Sequence, residues 1–313
     1  MNKILFTSIG RRVQLIRHFV ERGWRVVGTD LSPESCAAQV IAHQLHRVPP
    51  SAHPQYVEML LEICMKEKVE YLVPLYEPEL IRLAQLRDQF LAIGTRLIVS
   101  SVHALQHCLD KYELYQVLCS AEIPTPETYI SLSMEMDPAS KWVVKPRTGM
   151  GSKDVHVVTY AEVASTAANV NNPLIQRFIE GQEYSIDAYV AEDGQVLSIV
   201  PRLRMEVRSG EVSKSITVTD KDLTLQTIEL LNHLQLFGPV TIQGIKEAAT
   251  GEFYFIEVNP RFGGGVPLSM QAGIPYADFI AGKHDLQSDT LYPYQSGLKM
   301  LRYDEAVFVT ERG

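Results

Sequence analysis

Residues 253–264 read FYFIEVNPRFGG, and this stretch decides how the rest of the chain is read. Aromatic and β-branched residues predict a strand over EFYFIEV, with alternate side chains buried. Glu257 and Asn259 interrupt its end and lie two apart, so both point to one face. PVTIQGI precedes it across Ala248-Ala249-Thr250-Gly251, a hairpin turn, which places Gln243 on the neighbouring strand where it can share that face. Carboxylate and amide oxygens are hard ligands of the kind Mg²⁺ takes together with phosphate oxygens and water. Arg261 follows at the next alternate position and can grip a phosphate or carboxylate bidentately. A solvated polar strand end is the competing reading of the same residues.

Upstream, WVVKPRTGMGSKDVHVV (142–158) places Lys145 at the end of an apolar strand, Lys141 to Pro146. A tight turn over Thr148, Gly149, Gly151 and Ser152 leads to a second strand, Val155 to Thr159. Two glycines permit a path whose N–H groups converge on phosphate oxygens, with Lys145 beneath. An ordinary hairpin is the alternative, because neither GxxxxGK[ST] nor GxGxxG is present. Asp110-Lys111 lies in a helix expected over Ser101 to Glu122, where a lysine is by default a solvated surface group. In QRFIEGQEYSID (176–187), Gln176, Phe178 and Ile179 run from a strand into a turn whose backbone can read an adenine edge. Glu183 can accept hydrogen bonds from ribose hydroxyls.

The N-terminal third alternates strands with helices: KILFTS, a helix from Arg11 to Glu21, WRVVGTD, a helix from Ala52 to Lys68, VEYLVPL, a helix from Leu80 to Phe90, and RLIVS. That alternation predicts a parallel sheet with ligands beyond its C-terminal strand ends, here Ser8 to Arg12, Asp30 and Leu75 to Glu77. From about residue 124 the pattern changes to antiparallel, with a further hairpin over Tyr184 to Val190 and Val196 to Pro201 and an amphipathic helix over Asp222 to Leu236. Strand-like patches at Leu298 to Leu301 and Ala306 to Thr310 close the chain. The expected division is a parallel α/β domain over 1–100, a helical linker over 101–123, a small subdomain over 124–181 and a larger one over 182–313. The fold class is α/β and α+β.

A formal charge of −8 with no basic block argues against nucleic-acid binding. No apolar run reaches the ~18 residues a membrane helix needs. Cys36, Cys64, Cys108 and Cys119 show neither metal nor disulfide spacing, so free thiols in a reducing cytoplasm are expected.

Taken in order, these stretches resemble the ATP-grasp superfamily, nearest the carbamoyl-phosphate synthase large-chain and carboxylate–amine ligase branch. The resemblance covers nearly the whole chain and is strongest over 140–265. It implies that ATP is gripped between two sheets, with an N-terminal parallel-sheet domain alongside. It assigns Lys111 and Lys145 to the phosphates and Thr148 to Ser152 to a closing loop. Gln176, Phe178 and Ile179 fall at the adenine hinge, and Glu183 at the ribose. Gln243, Glu257 and Asn259 become ligands for Mg²⁺, with Mn²⁺ as an alternative, and Arg261 faces the transferred phosphoryl group. The phosphate loop is less glycine-rich than in the carbamoyl-phosphate synthases, and the chain holds one grasp unit with no Cys-His arrangement for releasing ammonia.

The implied reaction is phosphoryl transfer to a carboxylate, followed by attack of an amine on the acyl phosphate. A non-catalytic ATP-binding subunit, or an enzyme that releases the acyl phosphate, are the other readings. RLRMEVRSGEVSKS (202–215) is basic for this acidic chain, and Arg202, Arg204 or Arg208 is expected to hold the substrate carboxylate unless the segment is a solvated charged loop. Ser8 to Arg12 and Glu77 are further candidates for lining the cleft. Small-molecule acid and amine partners and a homodimer complete the expectation.

Overall fold

The computed structural model describes residues 1–149, 151, 153–208, 210–284 and 290–310. Short apolar runs in the N-terminal third form a parallel sheet in the order β3-β2-β1-β4-β5. Its strands are β1 (Lys3–Phe6), β2 (Arg25–Asp30), β3 (Gln44–Arg47), β4 (Tyr71–Val73) and β5 (Arg96–Leu97). The helices α1 (Val13–Glu21), α2 (Tyr56–Glu67), α3 (Leu80–Gln85) and α4 (Arg87–Ala92) cover it. Ile4 and Phe6 pack on one face with Ile16 and Phe19. Leu5 and Leu72 pack on the other with Leu60 and Phe90. Strand order reverses between β1 and β4, so the loops after these two strands open at the topological switch point.

Two expected helices are broken. The run Leu80 to Phe90 divides at Leu86 into α3 and α4. Ser101 to Glu122 divides into α5 (Val102–Leu109) and α6 (Lys111–Ser120). Asp110 is extended there, and its carboxylate accepts the N–H groups of Tyr112 and Glu113. An Asp followed three residues later by Glu is a helix-start signal. The break makes Lys111 the first residue of a helix instead of a mid-helix surface group.

A four-stranded antiparallel sheet in the order β6-β9-β7-β8 follows. It comprises β6 (Thr128–Tyr129), β7 (Lys141–Pro146), β8 (His156–Thr159) and β9 (Pro173–Arg177), with α7 (Tyr160–Ala167) packed through Val163 onto Trp142 and Ile175. The six-stranded antiparallel sheet runs β14-β13-β10-β11-β12-β15. Its strands are β10 (Gly181–Val190), β11 (Val196–Arg208), β12 (Glu211–Thr217), β13 (Gly238–Glu247), β14 (Phe253–Asn259) and β15 (Lys299–Leu301). The helix α8 (Lys221–Leu234) covers one face together with α5 and α6, burying Leu230, Leu231, Leu114 and Ile186. On the other face Tyr189, Val200 and Phe262 join Tyr276 of α10 (Tyr276–Ile280) and the N-terminal sheet in one core. The short helix α9 (Pro267–Gln271) lies between.

Three segments differ from their sequence reading. The competing reading of RLRMEVRSGEVSKS as a solvated loop fails among the described residues: β11 runs on to Arg208 and returns as β12, pairing Arg202 with Thr217 and Arg208 with Glu211. Ala306 to Thr310 forms no strand and is exposed. Gln44 to Arg47, unassigned from sequence, is the parallel edge strand β3.

Candidate functional site

The β13–β14 hairpin builds the centre. Gln243 pairs directly with Glu257, and Thr241 with Asn259, so all four occupy one face. The register slips between Gln243 and Gly244, and a side chain at Gly244 would collide with the Phe253 ring and the Tyr254 carbonyl. That bulge turns the strand end toward the cleft.

Lys145 approaches from β7. It is 6% exposed, and its Nζ donates to Gln176 Oε1 at 2.7 Å. Gln176 donates in turn to Thr128 Oγ1 at 2.9 Å, which fixes the amide oxygen toward the lysine. Burial first, and then the ammonium of Lys111, push Lys145 down to about 8, against the opposing pull of Glu257. Lys111 Nζ lies 3.8 Å from Glu257 Oε1 and donates to the Gly149 carbonyl at 3.0 Å. The start of α6 is tied to the end of β7 through Arg147, whose Nε meets both Asp110 oxygens at 2.7 Å. Lys111, Lys145, Glu257 and the Gly149 turn therefore converge on one space.

Arg261 closes the opposite side. Its Nη2 donates to Asn259 Oδ1 at 3.2 Å and lies 3.4 Å from Glu77 Oε2. Glu77 reaches the site from the loop after β4. Burial raises its pKa, with Arg261 and Lys111 opposing and Glu257 adding to the rise. Glu79 anchors that loop: its fully buried carboxylate accepts from Thr7, Tyr56 and the Tyr76 N–H. Glu79 carried no signal in sequence, because the three donors come from three separate elements.

The remaining expected residues fall into place unevenly. Gln243 Oε1 accepts from Arg204 Nη1 at 3.0 Å, so this oxygen already has a cationic partner. Arg204 also lies 3.4 Å from Glu183, whose side chain is exposed, and burial lowers the Arg204 pKa. Ile179 is buried and Phe178 half-buried, and the Phe178 N–H is taken by the Lys141 carbonyl. Gln176 turns its side chain toward Lys145, at the lysine end of the cleft. Thr148, Gly149 and Gly151 are exposed, both glycines in the left-handed region, while Ser152 lies outside the described residues. Arg202 is held inside the sheet by a bidentate pair with Asp187 at 2.7 and 2.8 Å, each side chain 1% exposed. Arg208 is exposed beside Asp304.

Among the described residues no cluster of three His, Cys, Asp or Glu side chains stands ready for a metal. One carboxylate, Glu257, and two amides face the space, a donor set that fits a hard cation only when phosphate oxygens complete it. Two sheets closing on a lysine-lined, carboxylate-edged cleft, beside a parallel-sheet domain, define a nucleotide-grasping class of protein.

The ATP-grasp domain family matches residues 108–265, half of the chain, and the PylC-like N-terminal domain matches residues 4–98. The chain belongs to the ATP-grasp family. Solved structures with the same fold include the biotin carboxylase domain of Hydrogenobacter thermophilus 2-oxoglutarate carboxylase, in complex with MgADP and bicarbonate. It is 16% identical, with 92% of this chain and 71% of that chain covered and a TM-score of 0.70. Staphylococcus aureus N5-carboxyaminoimidazole synthetase with ADP is 17% identical over 90% of this chain and 76% of that one, TM-score 0.70. The L-amino acid ligase of Bacillus licheniformis is 16% identical over 92% and 78%, TM-score 0.68. At these identities the likeness is one of fold.

Proposed function

We propose that the protein is an ATP- and Mg²⁺-dependent ligase that activates a carboxylate as an acyl phosphate and transfers the acyl group to an amine. The convergence of Lys111, Lys145, Glu257, Asn259 and Arg261 on one cleft, in a chain of the ATP-grasp family, carries this reading. The three structural relatives named above, two of them described with bound ADP, support it.

Lys111 and Lys145 neutralise the polyphosphate, and Thr148, Gly149, Gly151 and Ser152 cover it. The adenine lies by Gln176, Phe178 and Ile179, and the ribose by Glu183. Glu257 and Asn259 would hold the Mg²⁺, with Gln243 as a third oxygen through the lone pair that Arg204 leaves free; Mn²⁺ would suit the same donors. When bound, the metal draws charge from the transferring phosphoryl group. Arg261 faces the acid, and Arg204, tethered through Gln243, shapes the floor beneath it. Positioning and charge neutralisation do the catalysis, with no covalent nucleophile required. We place domain divisions at about 100, 123 and 181 and expect a homodimer working on small molecules. Among the described residues no helix is long and apolar enough to cross a membrane.

The test is ADP release by purified protein with MgATP across a matrix of acids and amines, with products identified by mass. ADP formation that requires both partners supports the ligase. Tight ATP binding without turnover across the matrix sinks it, and accumulation of free acyl phosphate identifies the shorter reaction.

A further inference from the structure

A second group of arginines stands just beyond Arg261. Gly263 and Gly264 follow it by two and three residues, and a side chain at Gly264 would meet Arg12 Nη1 and the Glu211 carboxylate at 3.4 Å. Arg302 donates to the Gly264 carbonyl and to Glu211 Oε2, the latter at 3.0 Å. Arg11 pairs with Glu211 Oε1 at 2.8 Å. Two guanidiniums, one from the loop after β1 and one from the segment after β15, thus share one carboxylate at the head of β12, with the Arg12 guanidinium beside them.

Arg12 is the odd member. Among the described residues its half-buried guanidinium has no hydrogen bond or ion pair, although Glu211 attracts it from further away. Burial lowers its pKa, and the like charges of Arg261, Arg302 and Arg11 add to the effect. A half-buried cation left without a direct partner is costly unless an anion arrives to meet it. The backbone beside it is unusual too: Ser8 is left-handed at φ 49°, and Gly10 at φ 37°. Strained non-glycine backbone is characteristic of binding loops. This loop opens at the switch point of the parallel sheet, on the cleft side. Two of the three arginines expected from sequence to hold the substrate are engaged elsewhere, Arg202 by Asp187 and Arg208 by Asp304, while Arg204 contacts Gln243 and Glu183.

We propose that Arg12 and Arg302, assisted by Arg11, form a subsite for a second anionic group on the acid substrate. This rests on the ligase reading and narrows it. The substrate is a compact acid with two anionic groups, one activated beside Arg261 and the other, a carboxylate or a phosphate, held across the Gly264 turn. Glu211 orients the arginines in the free protein and keeps the subsite from attracting anions indiscriminately.

The experiment is equilibrium binding to the full chain in saturating MgADP, with succinate and 2-phosphoglycolate as probes that carry two anionic groups and butyrate as the control that carries one. Wild type should prefer one of these two probes over butyrate by at least tenfold, and which of the two distinguishes carboxylate from phosphate. Arg12→Gln and Arg302→Gln should each reduce that preference to under about threefold, with unchanged MgADP affinity, whereas Arg208→Gln should preserve it. If one variant fails to fold, the other decides. Equal binding of butyrate, no binding of any probe, or a preference that survives both substitutions overturns the subsite. Failure of the ligase reading looks different: the probes with two anionic groups bind with the expected preference, yet no acid and amine together release ADP.

Discussion

Two groups of charged side chains lie a short way apart on the six-stranded sheet, and they are built on opposite plans. Around Asp187 every carboxylate oxygen is engaged: Arg202 binds both, Thr241 Oγ1 donates at 3.2 Å, and Ser269 donates to the other oxygen. Around Glu257 contacts are long, at 3.8 Å to Lys111 and 3.4 Å between Arg261 and Glu77, and the pKa values of Lys145 and Glu77 are displaced. This buried pair holds strands together: the carboxylate is fully engaged, and only Arg202 Nη1 is left without a partner among the described residues. A loose, partly desolvated set of charges, with Lys111 beside Lys145 and Glu77 beside Glu257, is unfavourable until a ligand completes it, which is the pattern of functional sites.

Substitutions should separate the two plans. Asp187→Ala leaves Arg202 buried without its partner and should cost ~3–5 kcal/mol of stability, read as a lowered urea midpoint. Replacing both members with apolar residues should recover most of that loss. Arg261→Ala should lower turnover about 10²–10³-fold, the scale of losing a major transition-state donor. Its urea midpoint should move less than that of Asp187→Ala, because Glu77, whose pKa already lies above the usual carboxylate range, can take up a proton.

The third prediction concerns pH. Burial and the neighbouring Lys111 push Lys145 down to about 8 in the folded protein, from 10.5 for a free lysine. Between those values the unfolded chain holds the extra proton, so stability of the nucleotide-free protein should rise with pH. The gain should total about 3 kcal/mol and vanish in Lys145→Met; denaturation at pH 7.5, 9 and 10.5 measures it. Nucleotide affinity should move the other way, falling as pH climbs past 8 and Lys145 loses its charge. At the small end, Arg208→Ala removes only an exposed contact with Asp304 and should change stability by less than ~0.5 kcal/mol. A larger shift would show that the β11–β12 hairpin end is less solvated than its exposure indicates.

The fold was legible wherever local pattern carries the signal. Alternation in FYFIEVN and the glycine turn after Lys145 read directly as the hairpin and the β7–β8 pair. Polar or short strands did not: QLHR at β3 is an edge strand with little apolar content. Leu203, Met205 and Val207 alternate with charged residues in RLRMEVR, a period-2 pattern that its basic composition masked. Of the site, residues near each other in sequence were legible. Arg302, Glu211 and Glu79 meet their partners only through the fold, across separations that no local pattern records.

The contact between the Lys111 ammonium and the Gly149 carbonyl has a mechanical side. It works as a clasp: one cation fastens the first turn of α6 to the tip of the β7–β8 hairpin. On the proposed function, a polyphosphate reaching the cleft would compete for that same cation, so docking and unfastening would be a single exchange.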